Sequence, residues 1–299
     1  MELIKNTHFD FLGKRKIAYV FSCAVIIWGM VVFGMRGKQN FGVDFIGGDM
    51  LNMEFSRGIS AAEIRGYLKN LNIGYYSVQA LGAEGREFII KSSPGTSRKI
   101  VEYFEGMEAG TPEKSFTVKG ESSVAPSMSI SLRKKALYAF AAGILGILLY
   151  LTVRFEFRFA FGATLAIFHD MIFVVAVLAL TKRQIDASVI AALLAVAGYS
   201  VNDTVVIFDR IRENIRKTRS NDYATVFNNS INEALSRTIF TALTTLFVIF
   251  LLFFMGGETL HAFSFSLLIG ISIGTYSSIF IASALLVDWH RLSPHKFKV

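Results

Sequence analysis

The stretch GYSVNDTVVIFDRIREN, Gly198 to Asn214, decides the fold, because Asp203 stands inside a predominantly apolar run from Ile185 to Phe208. About 20 apolar residues in a helix cross a hydrocarbon core of about 30 Å. A carboxylate at that depth costs about 2.5–3.5 kcal/mol on insertion scales, so an intramembrane Asp marks a functional position by default. The sequence therefore reads as a membrane protein that responds to protons or ions.

Outward from this stretch the same logic yields six runs: Ile17 to Met35, Ala136 to Val153, Phe159 to Thr181, Ala187 to Phe208, Thr238 to Met255 and Ala262 to Val287. The composition agrees, with 53% hydrophobic residues, 18% charged and four prolines in 299 residues. The first run is longer than the core of a signal peptide and no small-residue cleavage site follows it, so it reads as an uncleaved anchor. The net charge of +8 is carried by flanks of the runs. Lys5, Lys14, Arg15 and Lys16 precede the first, Arg154 and Arg158 join the second to the third, and Arg210, Arg212, Arg216, Lys217, Arg219 and Arg237 join the fourth to the fifth. With Arg291, Lys296 and Lys298 in the tail, this bias predicts both termini in the cytoplasm. Lys182 and Arg183 are the cations of the opposite short loops, and Arg133, Lys134 and Lys135 run against the trend. Nucleic-acid binding is not expected. The single cysteine, Cys23, leaves neither a disulfide framework nor a metal cluster, and no cofactor is expected.

The predicted layout is a cytoplasmic segment 1–16, a first span 17–35, an exported α+β domain 36–133, spans two to six over 134–288 with a cytoplasmic loop 209–237, and a cytoplasmic tail 289–299. In the exported domain, Leu51, Met53 and Phe55 alternate with polar residues, as do Phe116 and Val118, which is strand periodicity. Strands are also expected over Tyr76 to Leu81 and Glu87 to Lys91, with a turn at Gly82 to Gly85. Helices are expected after the cap Ser60 and over Ser97 to Gly106. The order βαββαβ is the ferredoxin-like split pattern. No catalytic constellation is visible there, and an enzyme is not expected.

Within the spans, Ser200, Asp203 and Thr204 share a helix face at i, i+3 and i+4, with Asn202 beside them. Arg237, Thr241, Thr244 and Thr245 form a polar stripe on the fifth span, which offers Asp203 a cationic partner. His169 and Asp170 are a second polar site, open to two readings: a proton relay, since His titrates near neutral pH, or a hydrogen-bonded packing contact. Asp209, Arg210, Arg212 and Glu213 fit a salt-bridge cluster at the membrane boundary. Tyr223, Val226, Phe227, Ile231 and Leu235 predict an amphipathic helix lying in the interface. Ser266, Gly270, Gly274, Ser278 and Ala282 repeat every fourth residue and predict close helix packing. In FGVDFIGG, Phe41 to Gly48, the glycines Gly42, Gly47 and Gly48 permit tight turns, and Asp44 either caps a turn or serves a proton path.

FGVDFIGG directly after the first span, six spans, one large exported loop, and GYSVNDTVVIFDRIREN at the fourth span together resemble the SecF family, membrane subunits of the bacterial Sec protein-export apparatus and half of an RND-superfamily transporter. The resemblance covers nearly the whole chain. It implies pairing with SecD, which supplies six further spans, and association with SecYEG, with YajC and YidC as further candidates. It also implies that the proton motive force is used to promote preprotein translocation and release outside the inner membrane, with Asp203 and Arg237 central to proton use. Gly42, Asp44, Gly47, Gly48, Ala125 and Pro126 are the available hinges. Val124, Ala125 and Pro126 stand where the family usually has Val-Gly-Pro, which puts the hinge geometry in question. An RND-like exporter of lipids or small molecules and a purely structural assembly factor are the alternatives. Half the usual architecture is missing for the first, and the second would tolerate neutral intramembrane residues.

Overall fold

The computed structural model describes residues 8–74, 76–81, 85–108, 115–218 and 222–293. The expectations placed on Lys5, Gly82, Arg219, Lys296 and Lys298 lie outside them. Six helices are long and apolar enough to cross a membrane. They are α1 (Arg15–Arg36), α5 (Pro126–Arg154), α6 (Phe157–Leu180), α7 (Ala187–Lys217), α8 (Tyr223–Met255), and a sixth built from α9 (Gly257–Ser277), a π-helical turn (Ser278–Ala282) and α10 (Ser283–Leu292). Burial sorts them into layers. The most apolar windows of α6, α7 and the sixth span are 56%, 50% and 61% buried, against 17%, 11% and 17% for α1, α5 and α8. The polar residues of the fourth span therefore lie on a central helix.

Two boundaries differ from expectation. The 209–237 region is not a loop: α7 runs on to Lys217, and α8 begins at Tyr223 and continues into the membrane without a break. Nor does its apolar stripe lie in an interface. Phe227 and Ile231 are fully buried, packed in one core with Phe159, Phe208 and Ile211. The reason is that the extension of α7 supplies a protein face for the stripe, and protein contact replaces lipid. The expected charge cluster is present: Arg154 pairs with Asp209 at 2.7 Å, and Arg210 bonds both Glu213 at 2.6 Å and Glu233 at 2.5 Å.

The α+β domain has the predicted order β1 (Gly48–Phe55), α3 (Ala61–Lys69), β2 (Tyr76–Leu81), β3 (Glu87–Ser92), α4 (Ser97–Glu108), β4 (Phe116–Val124). Its antiparallel sheet is ordered β2-β3-β1-β4. Ser60 caps α3 through a reciprocal box with Glu63, satisfying orphan backbone N–H groups. Leu51, Met53, Ile64, Leu68, Phe88, Ile90 and Ile100 form the core. Val118, expected to point inward, is 40% exposed. It lies on an edge strand whose pairing with β1 shifts between Asn52 and Met53, and a bulge of this kind bends an edge away from regular cover.

At the base of the domain, Asp49 accepts from the backbone N–H of Thr96 and Ser97 and from Ser123 Oγ, at 2.8, 3.0 and 2.7 Å. One carboxylate thus ties β1 to the N-terminus of α4 and to β4. Burial opposes ionisation, but these bonds outweigh it and hold the carboxyl below the usual 3.8. A depressed folded value means the contribution is complete above 3.8 and is lost as pH falls through the lower folded value. Amide hydrogen-exchange protection in β1 and α4, measured against the intrinsic rate at each pH, is therefore expected to fall on acidification below that range. In Asp49→Ala that protection should be low even at neutral pH, since three donors lose their acceptor at a cost of about 2–3 kcal/mol.

The domain joins the bundle by two adjacent links. Gly48 pairs with Val124 across β1 and β4, so both chains leave side by side. Gly48 has φ 152°, and a Cβ there would approach Ser92 O to 2.3 Å, so only glycine fits. Ala125 sits at φ −60°, ψ 145°, ordinary extended backbone, so alanine in place of the family's glycine introduces no strain. Gly42 donates to Ile185 O at 2.8 Å, Ile185 donates to Asn40 O at 2.7 Å, and Phe45 is buried among Phe173, Val189 and Leu193. The first part of FGVDFIGG is thus fastened to the bundle. Asp44 accepts from Ala187 N at 3.1 Å, capping the start of α7 rather than its own turn.

Candidate functional site

The site is assembled where α6, α7 and the sixth span meet. Close approach is set by glycine: a Cβ on Gly270 would lie 2.1 Å from Val196 Cγ2, and one on Gly274 would lie 3.1 Å from Ser200 Cβ. The small-residue ridge is therefore an interface within the chain, against α7. It brings hydroxyls on the sixth span into reach of two carboxylates.

The first is Asp170, fully buried. Its Oδ1 lies 3.0 Å from His169 Nδ1, and its Oδ2 accepts from Ser200 Oγ at 2.6 Å and Ser277 Oγ at 2.8 Å. His169 Nε2 is buried without a hydrogen-bond partner among the described residues. The second is Asp203, 2% exposed, whose Oδ2 accepts from Thr275 Oγ1 at 3.1 Å. Between them Thr204 Oγ1 and Ser278 Oγ lie 2.8 Å apart. The shared face of Ser200, Asp203 and Thr204 is confirmed: all are buried against the sixth span. Asn202, next to them in sequence, is exposed.

The π turn begins at this point. Ser277 and Ser278 are hydrogen-bonded to Asp170 and Thr204, and Ser283 Oγ donates to Ser278 O at 2.9 Å across the wide turn. π turns are rare and concentrate at functional sites.

Arg237 stands differently from the expectation of a direct partner. It is exposed, and among the described residues it makes no ion pair. It is near enough to act on Asp203 through space, but the contact to Asp203 comes from Thr275. Thr241 and Thr244 donate to carbonyls of their own helix, Thr241 to Arg237 O and Thr244 to Phe240 O, both at 3.0 Å, and Thr245 donates to Thr241 O at 2.9 Å. Thr244 is exposed as well. A polar stripe headed by a guanidinium is therefore displayed on a surface that in hydrocarbon would be costly.

Sequence reasoning found Asp170, Ser200 and Asp203 but missed Thr275, Ser277 and Ser283. The signal was faint, because hydroxyls in spans commonly bond back to their own helix. The i and i+2 spacing of Thr275 and Ser277 separates them from the ridge of every fourth residue.

Residues 107–292 match the family described as "Protein export membrane protein SecD/SecF, C-terminal". The chain belongs to the SecD/SecF family. "Protein translocase subunit SecF" of Thermodesulfovibrio yellowstonii is 39% identical over 96% of both chains. The crystal structure of SecDF, a translocon-associated membrane protein from Thermus thermophilus, superposes with a TM-score of 0.84 at 33% identity, covering 97% of this chain and 40% of that one. SecDF in a super-membrane-facing form superposes at 0.72 with 34% identity, again spanning 40% of the longer chain. The chain thus spans nearly the whole length of this SecF relative and less than half of the SecDF chain.

Proposed function

We propose that this chain works with SecD in the Sec translocon and uses the proton motive force to promote preprotein translocation and release on the outer side of the inner membrane. The observation that carries this reading is Asp203, a buried carboxylate on a central helix, linked to the sixth span by Thr275 and flanked by an open polar stripe headed by Arg237. Six further spans supplied by SecD would cover that stripe. A proton reaching Asp203 neutralises it, weakens its pull on Arg237, and so favours one of two local arrangements. A membrane potential supplies about 2.3 kcal/mol per charge per 100 mV, comparable to the cost of holding a carboxylate in the membrane.

In this reading Asp170 and His169 support the path from the inner side of the cluster, and Gly47–Gly48 with Ala125–Pro126 form the joint of the exported domain. The anchoring of Gly42 to the α6–α7 loop and of Asp44 to the start of α7 supports placing the movement beyond them. The Lys and Arg bias of the flanks supports a cytoplasmic position for both termini in this reading. SecYEG and translocating preproteins are the partners; YajC and YidC are further candidates.

Preprotein translocation into vesicles holding this chain and SecD, with and without a proton gradient, tests the reading. Arg237→Met is expected to remove gradient stimulation. Arg237→Lys is expected to keep part of it, because the charge survives without the guanidinium fork. Equal stimulation in all three proteins would leave Arg237 as an anchor only. Stimulation without SecD would refute the need for a second half.

A further inference from the structure

A cleft of about 940 Å³ opens between the α+β domain and the end of the bundle nearest to it. Its cationic lining comes from four separate parts of the chain: Arg36 ends α1, Lys182 and Arg183 sit in the α6–α7 loop, Arg65 projects from α3, and Lys91 from β3. The two cations of the short loops on this side of the bundle, Lys182 and Arg183, thus converge on one place. Among the described residues one carboxylate, Asp186, lines it, and that group is occupied in capping α7, accepting from Ser188 Oγ at 2.6 Å and Val189 N at 3.0 Å. Five cations and one carboxylate thus face the cleft among the described residues.

Two of the cations are structural. Arg36 donates to the carbonyls of Ala179, Lys182, Arg183 and Gln39, closing the C-terminal end of α6. Arg183 donates to His261 Nδ1 at 2.9 Å and stacks over Phe265 at 4.0 Å. Lys91 and Lys182 are uncommitted: among the described residues neither makes an ion pair or a side-chain hydrogen bond. Lys182 is exposed and held at φ 58°, an uncommon backbone for a non-glycine residue.

The cleft also has an apolar side. Phe253 and Phe254 line it, and beside them Met255 is 81% exposed at the last turn of α8. Cations above and an open apolar helix end below are the two chemistries of an anionic amphiphile. The alternative of an extended polypeptide adding to the free edge of β2 is disfavoured, because Arg65 already donates to the carbonyl of Val78 at 3.0 Å on that strand, and strand addition needs free backbone groups.

We propose that this cleft binds the headgroup of an anionic phospholipid, with Lys91 and Lys182 on the phosphate and the acyl chains along the outer end of α8. The site touches both the domain and the bundle, so an occupied cleft links the two. It does not depend on the proton reading of Asp203.

Native mass spectrometry of the delipidated full chain in detergent, with phosphatidylglycerol, phosphatidylcholine or inorganic phosphate added, tests this. Phosphatidylglycerol is expected to bind at least tenfold more tightly than phosphatidylcholine, with a cation near a lipid surface contributing a factor of about five. Lys91→Gln with Lys182→Gln should weaken it roughly twentyfold with thermal unfolding unchanged. Lys134→Gln with Lys135→Gln, on the flank of α5 outside the cleft, should leave it unaltered. Retention of phosphatidylglycerol by the first double variant, or an equal loss in the second, would overturn the site. Displacement of the lipid by inorganic phosphate at equal concentration, or by an acidic peptide, would overturn its assignment to lipid.

Discussion

Asp203→Asn is expected to reduce translocation in the presence of a proton gradient to the level seen without one, while the protein still folds and still associates with SecD. Asparagine keeps the shape of the side chain and can still accept from Thr275 Oγ1, which lies 3.1 Å from the carboxylate. What it removes is the capacity to gain and lose a proton. Because the residue is 2% exposed, the change also removes a buried charge whose cost the fold now bears, so thermal unfolding should be unchanged or slightly raised. Normal gradient stimulation in the variant would confine Asp203 to a structural role. A loss of stimulation accompanied by loss of SecD binding would instead place the defect in assembly.

The second large effect is on assembly of the bundle itself. Gly270→Ala places a methyl 2.1 Å from Val196 Cγ2, within a core where Val196 is fully buried. Valine has few rotamers in a helix, so α7 and α9 must separate, at a cost of about 3 kcal/mol. Gly146→Ala, in α5 with nothing within 4 Å of the added carbon, is the matched control. There the loss of glycine's backbone freedom should raise stability by about 0.5–1 kcal/mol. Thermal unfolding in detergent of the two variants should move in opposite directions. A Gly270→Ala protein as stable as the parent would mean that the ridge is not a tight contact.

The spans were legible because crossing a membrane leaves a physical signature that local context cannot hide: long apolar runs bounded by charge. The domain was legible for a related reason. Alternation at Leu51, Met53 and Phe55, and the cap at Ser60, belong to single elements and can be read one element at a time. What could not be read was anything that depends on the angle between helices. The polar stripe from Arg237 to Thr245 and the face carrying Asp203 are each visible alone, but the face of α7 that meets the sixth span is set by the close approach of Gly270 and Gly274 to Val196 and Ser200. That packing gives Thr275 to Asp203, while Arg237 stays exposed. The role of Asp49 was hidden in the same way, since its three donors come from residues 47 to 74 positions away. The stripe from Tyr223 to Leu235 was read correctly as amphipathic but given to lipid, because periodicity reports that a face is apolar and not what covers it.

The pairing of Gly48 with Val124 has a mechanical meaning. Two separate tethers would let the domain wander, whereas two strands zipped together at their roots form a short stem with one bending direction. Strand β1 extends eight residues from that root, about 26 Å at roughly 3.3 Å per residue. A tilt of only 20° at the stem would carry the far tip about 9 Å on that length. In the proposed cycle, small shifts near the membrane would thereby be geared into strokes of about three residues of an extended polypeptide.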